Sequence, residues 1–207
     1  MKLQPAAAPR LILASGSAVR ARLLADAGLA FEVRDSRVDE DAVKKRFAAG
    51  DTPADTDALA LQLAGEKAMA VSASEPGTFV IGADQILSCA GKRYDKPRDV
   101  AEARANLIAF RGRTHTLHSA VVLARDGAIV WRHIGQAHLA MRSFSDVFLD
   151  EYLGLLGDKV KTSVGCYQLE GPGIQLFDTI DGDYFTILGL PLLALLPELR
   201  RHLVVRD

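Results

Sequence analysis

The sequence predicts an α/β protein with a mixed central sheet flanked by helices, and three observations carry that expectation. Leu11-Ile12-Leu13-Ala14 is a short apolar run stopped by Ser15-Gly16-Ser17. A helical pattern follows it, with Leu23, Leu24 and Ala27 on one side and Arg20 and Arg22 away from them. Phe79-Val80-Ile81-Gly82-Ala83 is the strongest buried-strand pattern in the chain and runs straight into Asp84. Thr114–Arg125 and Ala128–Met141 are strand-like and joined by Asp126-Gly127, a short-range hairpin signal. Early strand–helix alternation followed by a long hairpin is the order a mixed sheet requires.

The remaining elements follow from local signals. Gly28 closes the first helix as a residue tolerant of left-handed backbone. Phe31–Arg34 reads as a second strand, the charged run Asp35–Asp41 as a loop, and Ala58–Val71 as a helix. A hairpin is expected around Ala90-Gly91, followed by Lys96-Pro97. Asp99, with Glu102 three residues on, is a capping-box-like start for a helix to about Phe110, closed by Gly112. Ser145 caps a helix to Leu156, stopped by Gly157, and 165–173 is glycine-rich and irregular. A strand near Ile174–Phe177, a turn at Asp181-Gly182-Asp183 and a final helix with Pro191 in its first turn complete the chain.

Composition bounds the function classes. With 207 residues, 49% hydrophobic and 25% charged, the chain is long enough to bury a core and is not of disordered or collagen-like composition. A net charge of −1 argues against a globally basic binder of nucleic-acid polymers. Cys89 and Cys166 form no CxxC or Cys/His pair, so they read as two small buried residues rather than a disulfide or zinc framework. Met1–Arg10 lacks an apolar signal-peptide region. The longest apolar stretch, Ile187–Leu196, is ten residues with Pro191 inside it, where a membrane span needs about 20. A cytoplasmic globular protein is the expectation.

Several residues could carry chemistry. In Leu13-Ala14-Ser15-Gly16-Ser17-Ala18-Val19-Arg20, a helix start offers unpartnered amides and partial positive charge, and Ser15, Ser17 and Arg20 add donors for a phosphate. The alternative is that Ser17 only caps the helix and Arg20 is solvated. Asp84 stands where ligands enter many α/β sheets and could hold a divalent metal or take a proton from water, or simply form a turn. Lys67 and Lys96 are either solvated charges or phosphate ligands, and Lys96-Pro97 presents its cation from a stiffened loop. Asp39-Glu40-Asp41 is a solvated acidic loop or a second source of a metal-binding carboxylate. Gln168-Leu169-Glu170-Gly171-Pro172-Gly173 could approach a flat base, although Gly-Pro-Gly is common turn chemistry. His115, His118, His133, His138 and His202 form no ligand motif, and His115 and His118, three apart, point to opposite faces of a strand. No G-x-S-x-G or P-loop pattern occurs.

In combination and in order, these pieces resemble the Maf-type nucleoside triphosphate pyrophosphatases, also called septum-formation inhibitors. The resemblance runs from about Leu11 to Leu196 through Leu13–Arg20, Asp39-Glu40, Glu66-Lys67-Ala68, Gly82-Ala83-Asp84, Lys96-Pro97, Glu170-Gly171 and Leu188-Gly189-Leu190-Pro191-Leu192. It implies a single domain over 1–207, two lobes around a deep nucleotide-binding cleft of the Maf/ITPase-like kind, and an often dimeric enzyme. The implied reaction is hydrolysis of a nucleoside triphosphate to the monophosphate and pyrophosphate with Mg2+ or Mn2+. A housekeeping role against modified nucleotides, or a part in cell-division arrest, comes with it. Position by position, Asp84 matches the catalytic aspartate, Ser15, Ser17, Arg20, Lys67 and Lys96 the phosphate-handling set, and Glu40 with Asp84 the metal-side carboxylates.

The chain departs from the family pattern at Ala18 and Val19, where many members have Pro-Arg. Three positions separate family branches, here Val19, Gln85 and Glu170; Gln85 and Glu170 match the 7-methyl-GTP branch rather than the dTTP/UTP branch. A carboxylate accepts only, and so suits the adjacent N1–H and N2–H donors of guanine. Val19, by contrast, is not the aromatic partner a cationic methylated base favours. Two rival readings are a nucleotidyltransferase, whose opening motif also carries a lysine soon after the arginine, and a nucleotide-binding regulator of cell division without catalysis. Here the next lysine after Arg20 is Lys44.

Overall fold

β1 (Leu11–Ala14) is formed by the four residues the sequence predicts, all buried, and it organises the sheet around it. It pairs in parallel with β2 (Glu32–Val33) on one side and with β3 (Phe79–Cys89) on the other, Leu11 opposite Phe79 and Ala14 opposite Gly82. The coordinates come from a computed structural model that describes residues 4–5, 7–48 and 55–206. The Met1–Arg10 segment therefore lies partly outside the described residues.

In chain order the helices and remaining strands are α1 (Ala18–Asp26), α2 (Glu40–Ala48), α3 (Thr56–Ser72), β4 (Lys92–Tyr94), α4 (Val100–Phe110), β5 (Thr114–Arg125), β6 (Ala128–Met141), α5 (Asp146–Leu156), β7 (Phe177–Asp181), α6 (Tyr184–Ile187) and α7 (Leu192–Arg201). The seven-stranded sheet runs β2-β1-β3-β5-β6-β7, with β4 paired to β3. The β3–β4 and β6–β7 pairs are antiparallel, so the sheet is mixed, as predicted. Asp126 and Gly127 turn β5 into β6 at φ of 52° and 72°, the left-handed pair of a type I′ hairpin.

Two compact units divide the chain: Met1–Asp84, Ser119–Gly135 and Tyr184–Asp207 form the first, Gln85–His118 and Gln136–Asp183 the second. In the first unit, alternation along the strands builds a layer on each face of the sheet. Leu11, Leu13, Phe79, Ile81, Ala83, Val121 and Leu123 pack with Leu23 and Leu24 of α1 and Leu192, Leu195 and Leu199 of α7. Ile12, Ala14 and Val80 turn the other way, onto Val71 of α3. In the second unit α4 and α5 pack on each other and on the 3-10 turn Gly157–Thr162, burying Leu107, Phe110, Leu149, Tyr152 and Val160. Among the described residues no helix is long and apolar enough to cross a membrane.

Most predicted caps are present. Ser17, Asp99 and Ser145 each accept a hydrogen bond from the amide three residues on. The boundaries that differ have physical causes. The charged run ends at Asp39, whose carboxylate accepts from the Ala42 amide, so Glu40 and Asp41 open α2 rather than close a loop. β3 continues through Asp84 to Cys89 because Ile86, Leu87 and Cys89 are also buried, which places the aspartate inside the strand, not at its end. Pro172–Leu176 is a 3-10 turn, and the strand expected near Ile174–Phe177 starts only at Phe177. The final helix is two, α6 and α7, separated by Gly189 at φ 90°, with Pro191 just before α7.

Candidate active site

Val80, Gly82 and Asp84 share the face of β3 that α3 covers. A Cβ at Gly82 would collide with the Ala64 carbonyl and stand 2.7 Å from the Ala68 nitrogen. Glycine therefore lets α3 settle onto the strand, and Lys67, on the same helical face as Ala64 and Ala68, comes down on Asp84. Its ammonium donates to Asp84 Oδ1 at 2.7 Å. α2 packs on α3 and brings Glu40 Oε1 to the same ammonium, also at 2.7 Å. The side chains of Lys67 and Asp84 are 9% and 10% exposed while that of Glu40 is 45% exposed, so one carboxylate is held in the interior and the other faces solvent.

Arg20 fixes the neighbouring corner. Its Nε donates to the Gly189 carbonyl at 2.8 Å, and Nη1 donates to the Ala83 carbonyl at 2.9 Å and to Ser15 Oγ at 3.0 Å. Ser15, which is buried, also accepts from the Ser17 amide at 3.3 Å, and Ser17 caps α1 by accepting from the Arg20 amide. Arg20 is thus not solvated: it braces the end of β1, the residue before Asp84 and the turn ahead of α7.

The charges of Arg20, Lys67, Glu40 and Asp84 cancel. Burial pushes the Asp84 carboxyl above its ordinary range and the Glu40 charge adds to that, against the pull of Lys67 and Arg20. Glu40 is held below its ordinary range: burial would raise it, but the Lys67 hydrogen bond and charge, with Lys44 and Arg20, outweigh that. Burial lowers the Arg20 pKa, with Asp84 and Glu40 opposing, and the guanidinium stays charged. The cluster therefore holds one firm carboxylate and one with a greater appetite for a proton.

Six residues singled out in the sequence, Ser15, Ser17, Arg20, Glu40, Lys67 and Asp84, are linked in this unit by direct hydrogen bonds, ion pairs or a shared backbone contact. Val19 lies beside Arg20 on α1, half-buried. Gln85, Lys96 and Glu170 belong to the second unit, Gln85 half-buried on β3 and the other two on exposed loop positions. Of the histidines, His115 and His118 are buried. Cys89 and Cys166 are buried free thiols, as expected.

Sequence reasoning missed Gly82 as the contact that seats α3 and Gly189 as the Arg20 acceptor. A glycine inside an all-apolar strand is a readable sign of close approach. No local signal links Arg20 to a carbonyl 169 residues away.

Among the described residues no three His, Cys, Asp or Glu side chains converge as a complete metal cage. Glu40 and Asp84 are hard oxygen donors of the kind a divalent cation takes, and in this structure both face the Lys67 ammonium.

A family model described as "Maf-like protein" matches residues 10–202. The chain is 52% identical over 194 residues to a protein of Brucella suis named 7-methyl-GTP pyrophosphatase, covering 93% of this chain and 96% of that one. It is 54% identical over 192 residues to a nucleoside triphosphate pyrophosphatase of Paramagnetospirillum magneticum, covering 92% and 97%. A 7-methyl-GTP pyrophosphatase of Rhizobium meliloti is 51% identical over 193 residues, covering 93% and 96%. A family match over nearly the whole chain, on a mixed sheet carrying the family's motifs in order, makes this chain a member of the Maf-like proteins.

Proposed function

We propose that the chain hydrolyses a nucleoside triphosphate to the monophosphate and pyrophosphate, with 7-methyl-GTP or a related guanine nucleotide as the preferred substrate. The observation that carries the reading is the Lys67 ammonium bridging Asp84 and Glu40 at 2.7 Å each, in a chain whose relatives bear pyrophosphatase names. Asp84 is the proton acceptor for the attacking water. Its raised pKa makes it a stronger base than a solvated aspartate, and the Lys67 and Arg20 charges favour its ionised form. Lys67 holds that carboxylate in place and lends charge to the phosphoryl oxygens as the bond to pyrophosphate breaks.

Ser15, Ser17 and the first amides of α1 meet phosphate oxygens. Arg20 spends Nε and Nη1 on protein acceptors, and its guanidinium charge is assigned to the same phosphate oxygens. Lys96 is assigned to the same anion. A triphosphate brings about four negative charges, whereas the four charged side chains of the cluster cancel. A divalent metal, Mg2+ or Mn2+, would supply the missing positive charge, and Glu40 and Asp84 are the side chains that would hold it. Glu170 accepts from the N1–H and N2–H edge of guanine, with Gln85 and Val19 as the other base-selecting positions. A cytoplasmic location and a homodimer complete the proposal.

Steady-state rates on 7-methyl-GTP, GTP, dTTP and UTP with magnesium test it. Higher kcat/KM for the guanine nucleotides is expected; dTTP or UTP turned over as fast as these would overturn the base assignment. Pyrophosphate formed only when an acceptor such as a sugar phosphate is added would make the enzyme a transferase. Nucleotide that stays bound and intact with excess protein would make it a binding module.

A further inference from the structure

The segment that precedes Glu170 is held in place at some cost to the fold. Cys166 has φ 61°, a left-handed backbone at a non-glycine residue, which persists only where surrounding contacts enforce it. Those contacts are present: the Tyr152 hydroxyl donates to the Cys166 carbonyl at 3.2 Å. Ser163 Oγ donates to the Tyr167 carbonyl at 2.7 Å and accepts from the Tyr167 amide at 3.1 Å. Gly165 makes room for the Tyr167 ring, since a Cβ there would stand 2.6 Å from Tyr167 Cζ. Beyond Glu170, the Gly171 amide returns to the Gln168 carbonyl at 3.1 Å, and a Cβ at Gly173 would stand 2.9 Å from the Gln168 nitrogen. Exposed Glu170 is therefore the tip of a short span anchored at both ends.

Its inner anchor is an unusual pair. His115, buried on β5, is hydrogen-bonded through Nε2 to the Tyr167 hydroxyl at 2.8 Å, within a cluster of Phe110, Tyr167 and Phe177 rings. His115 Nδ1 is buried with no hydrogen-bond partner. An imidazole with a bare nitrogen costs stability that phenylalanine at the same place would not. Filling volume therefore does not account for the pair. Its polar bond does something else: it ties the start of the Gln168–Glu170 span to a rigid strand.

We infer that His115 and Tyr167 are positioning residues for the Glu170 carboxylate and so determine base selectivity from inside the second unit. The inference rests on the proposed role of Glu170 at the base edge. Three variants of the full chain, assayed with magnesium on 7-methyl-GTP and UTP, separate the two ideas. Tyr167→Phe is expected to raise KM for 7-methyl-GTP about tenfold, to leave kcat and the UTP constants nearly unchanged, and to speed amide exchange across 163–173. In His115→Phe/Tyr167→Phe both polar partners are gone, so the melting temperature should recover towards the parent while selectivity stays lost. Selectivity that returns with stability, or a Tyr167→Phe enzyme with unchanged selectivity and exchange, overturns the inference. Glu170→Gln is expected to reduce the 7-methyl-GTP preference. If it does not, the base-edge reading fails, and the selectivity role with it, even where Tyr167→Phe loosens the segment. If it does while Tyr167→Phe has no effect, only the positioning claim falls.

Discussion

Lys67 reaches Asp84 across 2.7 Å because Gly82, two residues earlier on the same face of β3, has no side chain to hold α3 away. The glycine sits outside the chemistry and yet sets its geometry.

Gly82→Ala should therefore damage both stability and turnover. The added methyl has backbone of α3 on its far side rather than a flexible side-chain end, so overpacking of about 1–3 kcal/mol is expected. Urea melts and initial rates on one preparation check this. An alanine variant with parental stability and rate would mean that α3 is not seated by that contact.

Asp84→Asn should lower kcat by about 10²–10⁴-fold, the usual worth of a positioned proton acceptor. Lys67 keeps Glu40 as its ion-pair partner, so the variant should still fold cooperatively. Circular dichroism with stopped-time product analysis is sufficient. A folded asparagine enzyme of parental rate would remove Asp84 from the base role.

The acidic limb of kcat/KM should lie above the ordinary aspartate value of 3.8, because burial raises Asp84 and the base must be ionised to act. Lys67 and Arg20 restrain that rise, so Lys67→Gln should move the limb to higher pH as well as reduce the rate. A limb that stays in place, or moves down, would contradict the pairing.

Acid stability should carry the signature of His115. Burial lowers its pKa to about 4 from an ordinary 6.5. Between those values the unfolded chain takes up a proton that the folded ring refuses. Stability from this group is thus complete above the unfolded value and declines as pH falls, by at most about 3 kcal/mol. Denaturant melts at pH 7 and pH 4.5 should show a smaller loss in His115→Phe than in the parent.

Much of this is legible in the sequence. Leu11–Ala14, the Asp126-Gly127 hairpin and the Ser17, Asp99 and Ser145 caps are local signals, decided within a few residues. The helix at Glu40 was hidden because acidic residues in a first turn look like a charged loop when no apolar stripe follows; only Val43 of α2 is buried. The sequence predicts too short a β3 because Asp84 and Gln85 interrupt the apolar run, although burial resumes at Ile86. At the site, residue types marked Asp84, Lys67 and Arg20, but the Lys67–Glu40 ion pair and the Arg20–Gly189 bond depend on packing between distant elements. No local signal joins His115 to Tyr167, 52 residues away, since neither residue stands in a ligand motif.

The most direct test of the central claim is product identity with water as the sole acceptor. Purified protein with 7-methyl-GTP and magnesium should release the monophosphate and pyrophosphate in equal amounts, and Asp84→Asn under the same conditions should release almost none. Diphosphate with inorganic phosphate in their place, or equal yields from the parent and the asparagine variant, would contradict it.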